Sequence, residues 1–281
     1  MTGMVAAVVQ MRSGRDVGAN VVAASDLIRA AARAGARYVQ TPEMTNLLEK
    51  SRKELFAKIA PEGEDRAVAA FSALAAELGI HLHIGSLAIR TGEDSVANRG
   101  LLFAPDGSVA ARYDKIHMFD VDLPNGESWR ESATYRPGSE LVMAPAGGMS
   151  LGLAICYDVR FPAIFRAQGR AGAEVLSAPA AFTRQTGEAH WHVLQRARAI
   201  ENGAYMVSAA QGGRHEDGRE TYGHSMIVSP WGEILAELDH DEPGFALAEL
   251  DPARVAEARQ RIPAIANERA FSSPSGQEAA E

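Results

Sequence analysis

The chain has a single cysteine in 281 residues, at position 156. One thiol excludes an intrachain disulfide framework and any metal site built from several thiolates, and it suits a reducing, cytoplasmic setting. Basic charge is also scarce. Lys and Arg number 28 against 36 Asp and Glu, for a formal charge of -8, the opposite of the basic footprint of a nucleic-acid binder. No apolar run is long enough to span a bilayer. The opening stretch MTGMVAAVVQMRSGRD reads as a short strand followed by charge, not as a secretory leader. These absences predict a cytoplasmic protein with neither membrane nor nucleic acid as partner. What is present is ordinary: 46% hydrophobic and 23% charged residues, enough apolar material for a substantial core. At this length one large domain is expected over 1–281, with its core at about 4–262 and a C-terminal tail at 263–281 that is loose from 270.

Apolar spacing predicts strands at 4–9, 37–41, 80–89, 97–104 and 108–113, with helices at 16–34 and 64–78 between the first three. A second set follows, with strands at 151–155, 174–178, 204–210, 223–229 and 233–238 and helices at 162–171 and 187–201. Residues 244–250 close with a strand and 252–261 with a helix. Residues 116–149 lack sustained periodicity, and so long a connection inside a compact domain is usually functional. Two echoes link the sets. Arg33-Ala34-Gly35-Ala36, a short strand and Pro42 recur as Arg170-Ala171-Gly172-Ala173, a strand and Pro179. Leu102-Phe103-Ala104-Pro105-x-Gly107 recurs as Ile227-Val228-Ser229-Pro230-x-Gly232. Two echoes in one order imply two similar halves related by a pseudo-two-fold. Packing their sheets together, with helices outside, gives an α/β four-layer αββα sandwich.

Polar residues stand at three strand ends. Cys156 follows the apolar run 151–155 in LAICYDVRFP, where Asp158 can cap a helix and Pro162 suits a first-turn position. Ligands gather at the carboxyl edge of parallel strands, and a helix N-terminus favours thiolate. A lone cysteine is more often a small buried hydrophobe, so the rest of the chain has to supply a reason for chemistry. Glu43 follows the strand at 37–41 and Lys115 the strand at 108–113, and each alone is most simply a solvated residue. Together they form a set: a thiol nucleophile needs a base, attack on a carbonyl creates an oxyanion that needs a donor, and a base can activate water to release an acyl-enzyme. The histidines add less. His81 and His83 share one strand face but lack a third ligand, which favours packing over metal. His190 and His192 point in different directions on a helix. The charged run Arg214 to Glu220 reads as a solvated loop that could border the pocket.

Three segments, TPEMTN, YDKIHMFDVDLP and AICYDVRFP, resemble the motifs of the nitrilase, or carbon–nitrogen hydrolase, superfamily, and the resemblance runs from about residue 4 to about 262. It implies the αββα fold that the echoes suggest, homodimers or higher homo-oligomers, and neither cofactor nor metal. It also implies Cys156 as nucleophile, Glu43 as general base and Lys115 as oxyanion stabiliser, with the Tyr157 N–H as second oxyanion donor. Glu131 in WRESATYRPG matches a further glutamate that orients Lys115 or the substrate, and nearby Glu127 fits that motif less well. Downstream, AFTRQTGEAHWHVLQRARAIENGAY, AAQGGRH and YGHSMIVSPWGEILAEL resemble the branch of deaminated-glutathione amidases and ω-amidases, AAQGGRH being nearer the former. Both act on a small-molecule amide through a thioester. The loop after Pro179 is then a source of substrate contacts: Phe182 as an apolar wall, Thr183 as a hydroxyl, and Arg184 as a charge if it points inward. Other readings are a carbamoylase, a nitrilase or an acyl-transferring relative with the same trio, an inactive binding protein of this fold, and a papain-like protease, which would need a base histidine.

Overall fold

The strand Met4–Gln10 touches two cores. Met4, Ala6 and Val8 pack in a cluster with Leu151, Leu153 and Val175, whereas Ala7 and Val9 pack with Ala24 and Ile28 of the helix Val17–Arg33. Side chains alternate across a strand, so a strand apolar on both faces marks an inner layer covered on each side. The computed structural model describes residues 3–123 and 126–272, and it contains two six-stranded sheets related in this way.

The first sheet runs Gly244–Leu250, Met4–Gln10, Tyr38–Gln40, His81–Arg90, Val96–Phe103, Val109–Asp114. The second runs Val142–Ala146, Met149–Leu153, Val175–Ser177, Tyr205–Ser208, Met226–Val228, Ile234–Glu237. From either start the pairings are antiparallel, parallel, parallel, antiparallel, antiparallel. The parallel crossovers are helical: Val17–Arg33 and Arg66–Leu78 in one half, Pro162–Arg170 and Arg184–Asn202 in the other. The sequence echoes become identical turns. Gly107 N donates to Ala104 O and Gly232 N to Ser229 O, both at 2.9 Å, with φ of 84° and 86°, left-handed values that glycine reaches without steric cost.

Buried polar contacts lock one half to the other. Gln40 Oε1 accepts from Ala209 N at 2.7 Å, and Gln10 Oε1 accepts from Ser225 N at 2.9 Å. His83 is buried against the Tyr38 hydroxyl at 2.7 Å, and burial brings its pKa down to about 3. It is a neutral core imidazole, as the packing reading of its strand implies.

Some boundaries moved. The stretch 116–149 is more regular than its sequence suggests. It holds a hairpin of Asp120–Asp122 with Ser128–Arg130, a one-turn helix Glu131–Ala133, and the strand Val142–Ala146. Pro145 disguises that strand, and an edge position is where a strand tolerates proline. The run Arg214 to Glu220 is the tip of a hairpin pairing Gly212–Arg214 with Glu220–Tyr222. A short helix Arg52–Lys58, capped by Ser51, lies where no element was expected. The strand Gly244–Leu250 does not extend the second half but returns to the edge of the first sheet. Of the tail expected to be loose, residues 273–281 lie outside the described residues.

Candidate active site

Three strand ends converge. Glu43 follows Tyr38–Gln40 on a bend held by the Thr45 hydroxyl, whose Oγ1 donates to Pro42 O at 2.7 Å. Lys115 follows Val109–Asp114. Its N–H donates to Asn98 O at 3.0 Å and its carbonyl accepts from Gly138 N at 2.8 Å. Cys156 comes from the other half, beyond Met149–Leu153, and its N–H donates to Pro179 O at 2.9 Å. Cys156 has φ of 48° and opens a one-turn helix, Cys156–Arg160. A left-handed non-glycine residue costs roughly 1–2 kcal/mol, and such strain gathers at functional positions. Asp158 does not cap the next helix, as its position suggests. It is fully buried within the turn and accepts from Ile155 N at 2.9 Å, the Tyr113 hydroxyl at 2.7 Å and His117 N at 3.0 Å. The following helix starts with Pro162 at its first position.

The Lys115 ammonium donates to Glu43 Oε1 at 2.9 Å and to both oxygens of Glu131, at 2.8 and 3.1 Å. Asn98 Nδ2 donates to Glu43 at 2.8 Å and Glu131 at 3.0 Å. Ala181 N donates to the other Glu43 oxygen at 2.8 Å, and Phe119 N to Glu131 at 2.7 Å. Burial works to raise the Glu43 carboxyl, but the Lys115 charge and hydrogen bonds from Cys156, Lys115 and Asn98 outweigh it and hold the group below the usual carboxylate range. Burial works to lower Lys115, but Glu131 and Glu43 hold it well above its ordinary value. Burial and the neighbouring Glu43 push the Cys156 thiol up, against the pull of Lys115. One buried cation between two carboxylates leaves a net charge of minus one, which disfavours a third anion. The resting site is therefore thiol, carboxylate and ammonium, with the Glu43 carboxylate beside the sulfur. Tyr157 stands in the first turn of the helix Cys156–Arg160, where a backbone N–H has no acceptor within the helix. Such a set can transfer an acyl group: the thiol gives up its proton as it attacks, while an ammonium and a backbone donor receive the developing oxyanion.

These groups form the floor of a cavity of about 630 Å³. Tyr157 lines it, edge-on to Phe119, and so do Phe182 and Thr183, whose hydroxyl pairs with Thr186 at 2.8 Å. Arg184 is elsewhere. The helix expected at 187 begins at Arg184, which turns this side chain outward to Glu188 at 3.3 Å and Asp241 at 3.6 Å. Glu127 lines the cavity further out, beside Trp129 Nε1, and it is Glu131 that meets Lys115. Sequence reasoning missed Asn98, a buried polar residue amid the apolar strand Val96–Phe103. It also missed Arg160. That guanidinium lies over the rings of Phe182 and Tyr157, at 5.1 and 5.8 Å, and has no carboxylate partner among the described residues. Burial holds its pKa below the ordinary arginine value. Elsewhere, His192, His224 and Glu237 bring three ligand atoms within 4.8 Å of one another. Both imidazoles bond the same Glu237 oxygen, at 2.7 and 2.9 Å, which closes the set as a hydrogen-bonded cluster.

The carbon–nitrogen hydrolase family model matches residues 5–260. The chain belongs to the nitrilase superfamily. Within it, the chain is 41% identical over 271 residues to a protein of Synechocystis sp. named deaminated glutathione amidase, covering 94% of this chain and 98% of that one, and it falls in that branch. Among solved structures it resembles Saccharomyces cerevisiae Nit3, a member of branch 10 of the superfamily, with a TM-score of 0.84 and 29% identity over 93% of this chain and 95% of that one. It also resembles a glutamate-to-glutamine mutant of the amidase from Nesterenkonia sp. AN1, seen after Michael addition of acrylamide at the active site cysteine, with a TM-score of 0.77 and 28% identity over 92% of this chain and 98% of that one. These likenesses make the chain a carbon–nitrogen hydrolase of the amidase kind, with the superfamily's sandwich of sheets and helices.

Proposed function

We propose that this single catalytic domain hydrolyses deaminated glutathione, with Cys156 as nucleophile, Glu43 as general base, Lys115 and the Tyr157 N–H as oxyanion donors, and Glu131 orienting Lys115. The Cys156 sulfur attacks the amide carbonyl carbon as its proton passes to Glu43. The oxyanion forms against Lys115 and the Tyr157 N–H. On collapse the C–N bond breaks and the amine leaves with the proton from Glu43. Water then attacks the thioester, giving one proton to Glu43, and the sulfur leaves and recovers that proton. The carrying observation is the buried Glu43–Lys115–Glu131 cluster beside Cys156, where burial and the adjoining Glu43 keep the cysteine a thiol until a substrate carbonyl is in place.

Two observations support the substrate. Relatives at 41% identity carry that activity in their name. Arg160, without a carboxylate partner among the described residues and lining the same cavity as Cys156, suits the carboxylate of a 2-oxo acid. The test is product release over deaminated glutathione, 2-oxoglutaramate, N-carbamoyl amino acids and simple nitriles. A higher kcat/KM for deaminated glutathione supports the assignment. The reverse order makes the chain an ω-amidase, and turnover of carbamoyl or nitrile substrates alone overturns the substrate class.

Assembly as a homodimer is also proposed. Val193 and Ile200 are exposed on one face of Arg184–Asn202, and Gly232, next to exposed Trp231, abuts Ile200. Sedimentation equilibrium of the wild type and Val193→Glu tests this. A monomeric wild type overturns it. No helix among the described residues is long and apolar enough to cross a membrane, which is compatible with the expected cytoplasmic location.

A further inference from the structure

Three side chains from three separate elements meet just past the hairpin strand Glu220–Tyr222. His192 comes from the helix Arg184–Asn202, His224 from the loop ahead of Met226–Val228, and Glu237 from the end of the edge strand Ile234–Glu237. His192 Nε2 and His224 Nδ1 lie 2.7 and 2.9 Å from the same Glu237 oxygen, and the three atoms all fall within 4.8 Å of one another. None of the three lines the cavity above Cys156. Their side chains are 20–32% exposed, so an ion can enter and keep water as a further ligand.

The surroundings hold these donors in place. His224 has φ of 56°, a left-handed value that strains a non-glycine residue. Its carbonyl accepts from Trp191 Nε1 at 2.8 Å, and its N–H donates to His240 O at 3.2 Å. Its ring stacks on Tyr222 with centroids 4.2 Å apart, and the His192 ring meets Tyr222 edge-on at 6.0 Å. Strain braced on both sides, in a residue that aims its ring at a carboxylate, gathers at functional positions. Two imidazoles and a carboxylate are donors that zinc takes, whereas magnesium and calcium prefer oxygen throughout. Zinc at about 2.0–2.1 Å from each member of a tetrahedral set spaces the donors roughly 3.3 Å apart. The two N···O separations then open by about half an ångström while the two nitrogens draw together. Each imidazole carries its proton on its other ring nitrogen, which leaves the facing one a lone pair for the metal.

We propose that His192, His224 and Glu237 bind a divalent transition ion of the zinc class, with water completing its shell. The ion ties the helix to the edge strand and to the segment that leaves the hairpin. Gly218, Arg219 and Glu220 at the tip of that hairpin line the cavity. Thr221 bridges to Thr183, and Tyr222 packs so closely on Gly187 that an added Cβ there would stand 2.3 Å from it. Bound metal therefore braces one wall of the cavity without touching the reacting groups. It takes no part in the hydrolysis, and the site stands whatever amide the cavity accepts.

The test is a zinc titration of the full chain without a histidine tag, carrying Cys156→Ala so that the thiol cannot take the ion. One zinc per chain is expected, with a Kd in the micromolar range or tighter. Zinc at about a hundred times Kd should raise Tm by about 5 °C. Cobalt(II) in its place should show the visible d–d bands of a site with nitrogen and oxygen ligands. Glu237→Gln still accepts both hydrogen bonds but lacks the charge. It should weaken zinc by about a hundredfold or more, since even residues behind the ligands are worth roughly 10–100-fold. His192→Gln should do the same, and His190→Gln, on the same helix but outside the cluster, should leave Kd as it was. No saturable binding below about 100 μM zinc overturns the site. So does binding that Glu237→Gln and His192→Gln leave unchanged, or an equal rise in Tm with magnesium.

Discussion

Asn98 reaches Glu43 directly, Nδ2 donating to Oε1 at 2.8 Å, from the middle of a strand that contributes nothing else to the ion cluster. The bond favours the charged form of Glu43, the form that accepts a proton. On the proposed mechanism Asn98 is therefore a positioning residue for Glu43.

Asn98→Leu should lower kcat/KM by about tenfold or more, the loss of a hydrogen bond to a buried charge. It should also move the acid limb of the pH–rate profile to higher pH. The sign follows from the linkage. Glu43 is held below its ordinary range, activity falls as pH drops through its pKa, and removing a donor raises that pKa. A pH–rate profile checks this, and an unmoved acid limb counts against it. Glu43→Gln, which cannot take the proton, should cost about a hundredfold or more.

Cys156→Ala should abolish turnover in a folded protein, because no thioester can form. Cys156→Gly should also be inactive yet more stable than Cys156→Ala by about 1 kcal/mol, since glycine accepts the left-handed backbone freely. Denaturant melts of the two variants decide the point.

Lys115→Met should reduce kcat by about a hundredfold or more through loss of the oxyanion donor, with Lys115→Arg failing to restore it. It also leaves Glu43 and Glu131 without their shared cation, a loss of about 3–5 kcal/mol for a broken buried pair. Burial, no longer outweighed by the Lys115 charge, then raises the Glu43 carboxyl above its unfolded value. Stability of the variant is then greatest at low pH and falls as pH rises through that raised value. Urea melts at pH 5 and pH 8 should show the deficit growing with pH.

Arg160→Met should raise KM for 2-oxo acid amides by about tenfold or more, the worth of a charged hydrogen bond, and should act far less on a neutral amide of similar size. Equal losses on both would make Arg160 a structural residue.

His83 ties acid sensitivity to the core. Its pKa of about 3 lies below the ordinary 6.5, so between those values the unfolded chain binds a proton that the folded chain refuses. Stability then falls as pH drops below 6.5, by about 2 kcal/mol at pH 5 for this group alone. His83→Gln should flatten that slope in melts taken from pH 7 to pH 5.

The layers were legible because each half repeats its turns, and Gly35, Gly172, Gly107 and Gly232 fall at matching places. Cys156, Glu43 and Lys115 were legible as polar residues closing apolar strands. The strand Val142–Ala146 was not, since Pro145 and a neighbouring Gly-Gly turn read as loop, and its edge position shows only in the assembled sheet. Arg184 misled because Thr183, not a residue nearer 187, precedes the first helical turn. Asn98 has no local signal, because its partners lie 55 and 33 residues away. Arg160 gains its meaning from an absence, the missing carboxylate, which only three-dimensional packing reveals.

The pseudo-two-fold has a counterpart for the Glu43 arm of the site, and it is blank. Thr41-Pro42-Glu43 follows Tyr38–Gln40 as Ala178-Pro179-Ala180 follows Val175–Ser177. Where the first half presents a carboxylate, the second presents a methyl group, buried and inert. Two equal halves would have built two mouths; this chain arms one and plugs the other. The chemistry proposed for it is therefore counted per chain and not per half, one acyl group for each molecule. Neither half, supplied without the other, holds both Cys156 and Glu43.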